Sequence, residues 1–579
     1  MNTNTETQFQ KIEAGEKSIA DIFSDKYSFS IPPYQRPYAW ELPQVTALLD
    51  DLKEAMKEGS GTQDLYFLGS IVLVKKPNSA NARVIDGQQR LTTLTILLSV
   101  LRDLTEDLED KSSRDKYIIQ KGDRDRKITD EFRLKLRPKD QLFFQNSVQT
   151  LDATNQMPDL DGFEGSKARI VENASTLRDI LNEMTEDERD NLISYLLNNC
   201  FLVVVSVPSD QAARRIFTVL NARGMDLTAT DILKADLLQR ASEEREVDLS
   251  SLWEDIERAL DRKLFSDLFT HIRMIYQREK PRSSLEEGFP QYVTPFTQGP
   301  ETFISQTLVP FADALLLIEN GSEKIAKNFD QKTSDLINSL ARLDNKDWVP
   351  PLLLALKLKA DGEELDIPTL VKKLERLAYF LFVTRTDVNG RIHRYADVMH
   401  DISPETGHMP KTSGLEIDQS EAFEFFDALD GPIYRLSRVV KPILLRLDQS
   451  LVDGSASYNY PVITVEHVCP QTISLDSEWA KWFSVKSDHD YWLHRIGNLV
   501  LLNRRKNSAA SNWELKTKKE KYFADGNETP FKLTQQVMRK EKWKPKTIQK
   551  RQQKVLRSLA KTWELSEAFD AWNEKAGLA

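Results

Sequence analysis

The 579-residue sequence predicts a multidomain α+β protein, and three observations carry that reading. Short β-forming runs bounded by turn residues lie near both ends and lead into helices. They are Tyr66 to Val74 and Arg83 to Ile85 near the start, and Val462 to Val465 and Leu499 to Leu502 near the end. From about 245 to 445 apolar residues recur at helical spacing, interrupted at Pro281, at Pro290 to Pro300 and at Pro350-Pro351. Length and pattern together divide the chain into residues 1–240, 241–445 and 446–579, with no fixed-period repeat.

Composition narrows the class. With 40% hydrophobic residues the chain is expected to be globular. Cys200 and Cys469 are far apart and form no metal pattern, which fits a reducing compartment. No apolar stretch is expected to span a membrane, and the polar opening MNTNTETQFQ does not read as a signal peptide, so a cytoplasmic location is expected. The net charge of −10 argues against a nucleic-acid partner until its distribution is considered. Between Arg504 and Lys561 there are 18 Lys and Arg against 5 Asp and Glu, a basic segment in an acidic chain.

Taken in order, Ile31-Pro-Pro-Tyr-Gln-Arg-Pro-Tyr-Ala-Trp40 is extended and irregular, because its prolines disfavour helix on either side. Gln44 to Met56 reads as an amphipathic helix, and the two strands that follow are separated by a turn at Pro77-Asn78-Ser79. Asp86-Gly87-Gln88-Gln89-Arg90 then opens a helix with Leu91, Leu94, Leu98 and Leu101 on one face. A glycine between strand and helix presents helix N-terminal amides to an anion, and Arg90 adds a phosphate donor. This is a phosphate-binding pattern without a Gly-x-x-x-x-Gly-Lys-Ser/Thr loop. Lys111 to Asp140, dense in charge, is expected to be an exposed helical insertion or loop. Phe201 to Val207 reads as a buried strand. Asn221 and Arg223 precede Gly224 in a turn, and Thr228 with Asp231 forms a capping-box-like helix start. Tyr38 and Trp40 are candidates for either core packing or contact with a ligand or DNA.

In the middle region Gln277 to Gly299 and Ser403 to Gly414 are candidate linkers, and Leu377 to Val383 is expected to be core. The stretch from Pro461 to Tyr522 carries the chemistry. Val462, Ile463 and Val465 lead into Glu466-His467, and Pro470 ends the strand. Gly497-Asn498 precedes the second strand, and Ser511-Asn512 can cap a helix beginning near Trp513 that bears Lys516, Lys518, Lys519 and Lys521. A carboxylate beside a histidine, several amides and a cluster of cations suit metal-assisted hydrolysis of a phosphodiester. The histidine can accept the proton of water, a hard cation held by oxygens can neutralise developing charge, and cations can hold flanking phosphates.

These residues resemble the HNH, or ββα-metal, nuclease motif, and Glu466-His467-x-x-Pro470-Gln471 resembles the form found in GmrSD-type (type IV, modification-dependent) restriction endonucleases. The resemblance implies a general base at His467, metal ligands at Glu466 and Asn507, and a loop-bracing asparagine at Asn498. Lys516 is a further catalytic candidate, and Trp40, Arg504, Arg505, Asn512, Lys518 and Lys519 are DNA-binding candidates. Many such sites have Asp where this chain has Glu466. His494 is a candidate for a substrate or metal-side role, whereas His489 is expected to be a solvated loop residue and Cys469 a packing residue. Asp86 to Arg90, with Tyr34-Gln35-Arg36-x-Tyr38-x-Trp40, resembles the N-terminal domain of the same family. That domain has a ParB/sulfiredoxin-like core and binds and hydrolyses nucleoside triphosphates. A third match, Phe217 to Leu227, follows in the family's order. The resemblance thus implies nucleotide contacts at Gln35, Arg36, Asp86, Gly87, Gln88, Gln89, Arg90, Asn221 and Arg223. It also implies Mg²⁺ or Mn²⁺ and ATP, GTP or UTP as cofactors, double-stranded and modified phage DNA as substrate, and a homodimer. Two other readings stay open on the residues alone. One is an HNH nickase of DNA repair or plasmid biology, the other a non-catalytic DNA-binding regulator with a decayed nuclease fold.

Overall fold

The computed structural model describes residues 13–58, 65–77, 79–122, 129–209, 228–319, 329–403, 413–452, 458, 460–503, 512–523 and 529–577. Two compact units divide the chain, residues 1–255 with 299–301 and residues 256–298 with 302–579.

The first unit is built on a six-stranded mixed sheet. Its order is Glu13–Ser18, Cys200–Val207, Tyr66–Lys75, Asn81–Asp86, Ser28–Ser30, Leu134–Lys135. The central pair, Tyr66–Lys75 and Cys200–Val207, is parallel, whereas the hairpin to Asn81–Asp86 is antiparallel. The central strands read as near-continuous apolar runs because both faces are covered. Ile71, Leu73, Leu202 and Val204 face the main core. Val72, Ile85, Val205 and Val207 form a smaller cluster of their own. The helix Gln88–Asp103 is buried at every position from Leu91 onward, more than the single apolar face anticipated. Its threonines tolerate this because Thr92, Thr93 and Thr95 donate their hydroxyl protons to the carbonyls of Gln88, Gln89 and Leu91 one turn back.

The charged stretch from Lys111 to Asp140 departs from expectation. Only part of it lies on the surface: Asp115, Arg133, Arg137 and Asp140 are buried. The alternation Phe132-Arg-Leu-Lys-Leu136 places Leu134 and Leu136 inward, and Leu134–Lys135 closes the sheet edge beside Ser28–Ser30. Each buried charge is paired, as burial requires. Arg102 donates to Asp103 at 2.7 Å and to Asp115 at 2.8 Å, and Arg137 pairs with Asp140 and Glu254.

Among its described residues the second unit is helical apart from one hairpin. The expected core run Leu377 to Val383 ends the helix Ile367–Val383 and is buried throughout. From that helix the buried Glu375 accepts hydrogen bonds from Arg446 Nε at 2.6 Å, Ser339 Oγ at 3.1 Å and Trp563 Nε1 at 2.9 Å, tying four segments together. Pro350-Pro351 opens the helix Val349–Ala360 and does not separate elements, since first-turn N–H groups have no intrahelical partner to lose. Gln277 to Gly299 is not a linker. It contains the helices Leu285–Tyr292 and Thr294–Gln298, and Phe289 and Phe296 pack edge-on with Phe303. Most of Ser403 to Gly414 lies outside the described residues. One helical run, Pro300–Glu319, is by length and composition alone long and apolar enough to cross a membrane, and half of it is buried within the protein, as in a core helix. Polar residues such as Ser305, Gln306 and Asp313 punctuate the run, so its mean hydropathy is not obvious from any unbroken apolar stretch.

The hairpin pairs Thr464–His467 antiparallel with Leu499–Leu502, so that His467 faces Leu499 and Glu466 faces Val500. A short helical segment, Leu515–Lys518 continuing through Lys519–Phe523, packs beside it. Val468, Val500, Leu502, Leu515, Trp479 and Trp543 share one core.

Gly87 joins the strand Asn81–Asp86 to the helix Gln88–Asp103 at φ +91°, and a Cβ there would meet Ile71 Cγ2 at 2.4 Å. Left-handed backbone and overpacking both penalise a side chain. Gly87→Ala is therefore expected to destabilise the protein by about 2–4 kcal/mol, read as a lowered urea midpoint.

Candidate functional site

In the C-terminal unit the candidate site gathers around the end of Thr464–His467. Glu466 and His467 are both buried. His467 Nε2 lies 3.2 Å from His494 Nδ1, and its Nδ1 lies 3.4 Å from Gln471 Nε2. The Tyr434 ring covers His467 at a centroid distance of 4.0 Å and stacks on His494 at 5.5 Å and 10°. The Tyr434 backbone N–H donates to the His494 carbonyl at 3.0 Å, which holds that stack together. His494 is pulled below the usual histidine range by burial and by Arg435 and His489. The imidazole of His467 is thereby fixed between two polar side chains and one ring.

Asn498 is fully buried and engages its whole amide. Its Oδ1 accepts from Cys469 N–H at 2.8 Å and Trp543 Nε1 at 3.0 Å, and its Nδ2 donates to Leu493 O at 2.9 Å and Cys469 O at 3.2 Å. The segment after His467 is thus clamped to the segment before the second strand, and Val468 N–H adds a bond to Asn498 O at 2.8 Å. The preceding Gly497 is needed for close approach. A Cβ there would lie 2.9 Å from the Ile548 carbonyl, because the helix Pro545–Thr562 packs directly on this turn. From that helix Gln552 Oε1 accepts from Gly497 N–H at 2.6 Å. Arg551 Nη1 donates to the carbonyls of Gly497 at 2.7 Å and Leu499 at 2.9 Å. Arg551 is buried, and desolvation lowers its pKa to about 10. Sequence reasoning missed Arg551 and Gln552, although their spacing of three and four residues from Ile548 and Val555 puts them on the apolar face of this basic helix.

Lys518 does not belong with the DNA-facing lysines. Its ammonium is buried and donates to the carbonyls of His467 at 2.9 Å and Val468 at 3.1 Å. It secures the strand end and cannot reach a duplex. Lys516 and Asn512 are exposed, and Lys519 is half-buried. Asn507, Arg504 and Arg505 lie outside the described residues. His489 is not solvated: its Nε2 lies 2.8 Å from the Pro470 carbonyl. Cys469 packs in the core as expected, its thiol pushed well above the usual range by burial.

In the N-terminal unit, Asp86 and Arg90 lie at the strand–helix junction. Burial raises the Asp86 pKa and lowers that of Arg90, and each partly offsets the other through its charge. Arg90 Nη1 donates to Ser70 O at 3.1 Å, with its guanidinium over Gly69. Gln89 is a stay for the irregular segment: it accepts from Ala39 N–H at 2.7 Å and Trp40 N–H at 3.3 Å and donates to Pro37 O at 3.0 Å. Gln35 Nε2 donates to Ile85 O at 2.9 Å, and Arg36 pairs with Asp231 in the Thr228 capping box. Arg36, Gln88, Gln89, Arg137 and Asp140 line a narrow cleft. Tyr38 is core, its hydroxyl hydrogen-bonded to Thr93 at 2.8 Å and Asn173 at 3.0 Å, and Trp40 packs half-buried against the same core. Asn221 and Arg223 lie outside the described residues. Arg137 and Asp140 at the cleft were missed, hidden in a stretch read as exposed.

Both ends match families of known proteins. Residues 19–238 match the N-terminal domain of the GmrSD restriction endonuclease. Residues 420–558 match the C-terminal domain of the GmrSD restriction endonucleases. The class is therefore a restriction endonuclease, an enzyme that acts on DNA. The chain belongs to the GmrSD restriction endonuclease family and carries both of its domains. A search of the curated proteins finds no match.

Lys518 generates a pH prediction. Desolvation lowers its pKa from 10.5 to about 8, with Glu466 and Cys469 pulling the other way. Below about pH 8 folded and unfolded chains are both protonated here, and the cost of burying the charge is fully present. Between about 8 and 10.5 the unfolded chain holds a proton that the folded chain has released, so stability rises with pH. In chelator, wild type should gain urea resistance relative to Lys518→Met across that window. Parallel curves would refute the assignment.

Proposed function

We propose that this restriction endonuclease is a nucleotide-dependent type IV enzyme. In this reading residues 1–240 bind and hydrolyse a nucleoside triphosphate, 241–445 couple the ends, and 446–579 cut modified foreign DNA at an HNH, or ββα-metal, hairpin. One observation carries the catalytic part: a buried histidine beside a buried glutamate at a strand end, steadied by His494, Gln471 and Tyr434 and braced by Asn498.

His467 accepts the proton of the attacking water, and its contacts hold the ring in one orientation while it does so. Asn498 keeps the two strand ends in register without meeting the substrate. Lys516, Lys519, Asn512, Arg504 and Arg505 hold phosphates flanking the cut. Glu466 and the Asn507 amide offer only oxygen ligands, which suits a hard cation completed by water and phosphate better than it suits structural zinc. When bound, Mg²⁺ or Mn²⁺ supplies charge neutralisation to the phosphate and its leaving oxygen. In the N-terminal domain, a ParB/sulfiredoxin-like core by this reading, the amides after Gly87 and the Arg90 guanidinium receive the phosphates of ATP, GTP or UTP. Duplex scission by one such site per chain requires a homodimer or two successive nicks. A reducing cytoplasm suits the two free buried thiols.

His467→Ala should slow DNA cleavage by about 10²- to 10⁴-fold while leaving DNA binding and nucleotide hydrolysis close to wild type. EDTA should stop cleavage by the wild type and Mg²⁺ restore it, whereas near-normal cutting by the mutant, or restoration by zinc alone, would sink this reading.

Arg90→Ala should weaken nucleotide binding, with altered cutting following only if nucleotide shifts a conformational equilibrium. Nucleotide hydrolysis, cleavage and solution mass measured with and without nucleotide check this. If hydrolysis is lost while the same modified DNA is cut at an unchanged rate, the two ends are not coupled.

A further inference from the structure

We propose that the outward face of the helix Pro545–Thr562 is a duplex-backbone tracking surface, a second DNA-binding site apart from the hairpin. The proposal rests on DNA being the substrate, which family membership gives, and not on how the hairpin cuts it.

Five cations, Lys546, Lys550, Lys554, Arg557 and Lys561, are exposed on this helix at spacings of four, four, three and four. At about 100° per residue they fall within an arc of roughly 80°, centred opposite the buried face of Ile548, Arg551, Gln552, Val555 and Leu559. At about 1.5 Å per residue the row is roughly 22 Å long, a distance over which one strand of a duplex presents about six phosphates. Among the described residues none of the four lysines has a carboxylate partner, and Arg557 pairs with Asp570 at 3.2 Å.

A row of charge on a helix is ordinarily a solvated convex face, and two further observations separate this one from that case. The C-terminal half of the row, Lys554, Arg557 and Lys561, rims an open cavity of about 390 Å³ floored by Leu447, Leu451 and Val555. A concave surface lined mainly by one sign of charge over low-dielectric walls focuses its field on an anion. The inward face of the same helix holds the catalytic loop, through Gln552 to Gly497 N–H and Arg551 to the Gly497 and Leu499 carbonyls. A duplex lying on the outer face is thereby registered, through one rigid element, against the turn that carries Asn498.

The test is a salt titration of binding to a 30-base-pair duplex by anisotropy, in EDTA so that nothing is cut. The proteins compared are wild type, the triple variant Lys546→Gln/Lys550→Gln/Lys554→Gln, and a control with equal charge loss elsewhere, Lys332→Gln/Lys359→Gln/Lys372→Gln. All six positions are exposed, so equal melting temperatures establish that the variants fold. The slope of log K against log salt should fall in magnitude by about 2.7 in the stripe variant, at about 0.9 for each phosphate no longer neutralised, and stay at the wild-type value in the control. An unchanged slope in the stripe variant, or an equal fall in the control, would overturn the proposal. So would a change of solution mass without a change of slope, which would make the row an interface between copies of the chain.

Discussion

The candidate site of the C-terminal unit depends on one side-chain amide. Asn498 makes four hydrogen bonds in a fully buried position, two through its oxygen and two through its nitrogen, which leaves none of its capacity for a substrate. Those bonds join the exit of one strand to the approach of the other. The remaining contacts follow from that junction: Gly497 must be small for the helix Pro545–Thr562 to approach, and Arg551 and Gln552 then cap the turn from that helix. His467 sits at the register position next to the junction, so its orientation inherits the rigidity of the brace. A buried amide left half-satisfied costs more than its bonds return, so truncating Asn498 strands several of its partners at once.

A second theme is the use of charge inside the protein. Arg102, Arg137, Lys518, Arg551 and the Glu375–Arg446 pair are all buried and are held by carboxylates or by backbone carbonyls, although the Nε of Arg551 is left without a partner. Burial of this kind adds little net stability, but it penalises wrong packing, because any arrangement that strands one of these ions is unfavourable. Lys518 and Arg551 share a particular solution. Both direct their protons at carbonyls of the hairpin, so cations from a strongly basic segment stiffen the site from within while their neighbours remain outside.

At the other end Gln89 links the strand–helix junction to the segment from Pro37 to Trp40. A nucleotide bound as proposed, at Gly87 and Arg90, would act next to a side chain that already holds a second element. That is the physical requirement for a binding event to be felt beyond its own pocket, since coupling needs a contact that differs between two arrangements.

Some of this was legible in the chain by itself. The strands Leu499–Leu502 and Cys200–Val207, the helix after Arg90 and the Thr228 capping box follow from local rules: β-forming runs bounded by turn residues, helical periodicity, and hydrogen-bonding side chains at element ends, whereas the bracing function of Asn498 was implied by the family resemblance. The family was legible as well, because its motifs are short and occur in order. What local rules could not decide is which charged residues turn inward. Lys516 and Lys518 are two positions apart with the same chemistry, yet one is exposed and the other is buried against the His467 carbonyl. The stretch around Arg137 read as exposed although its leucines form a sheet edge, and Gln277 to Gly299 read as a linker although its phenylalanines pack edge-on. The sequence by itself determined the elements and the chemistry available. The tertiary structure decided which polar groups are spent on the frame and which remain for DNA, because burial depends on neighbours distant in sequence, and only their packing removes water from a charge.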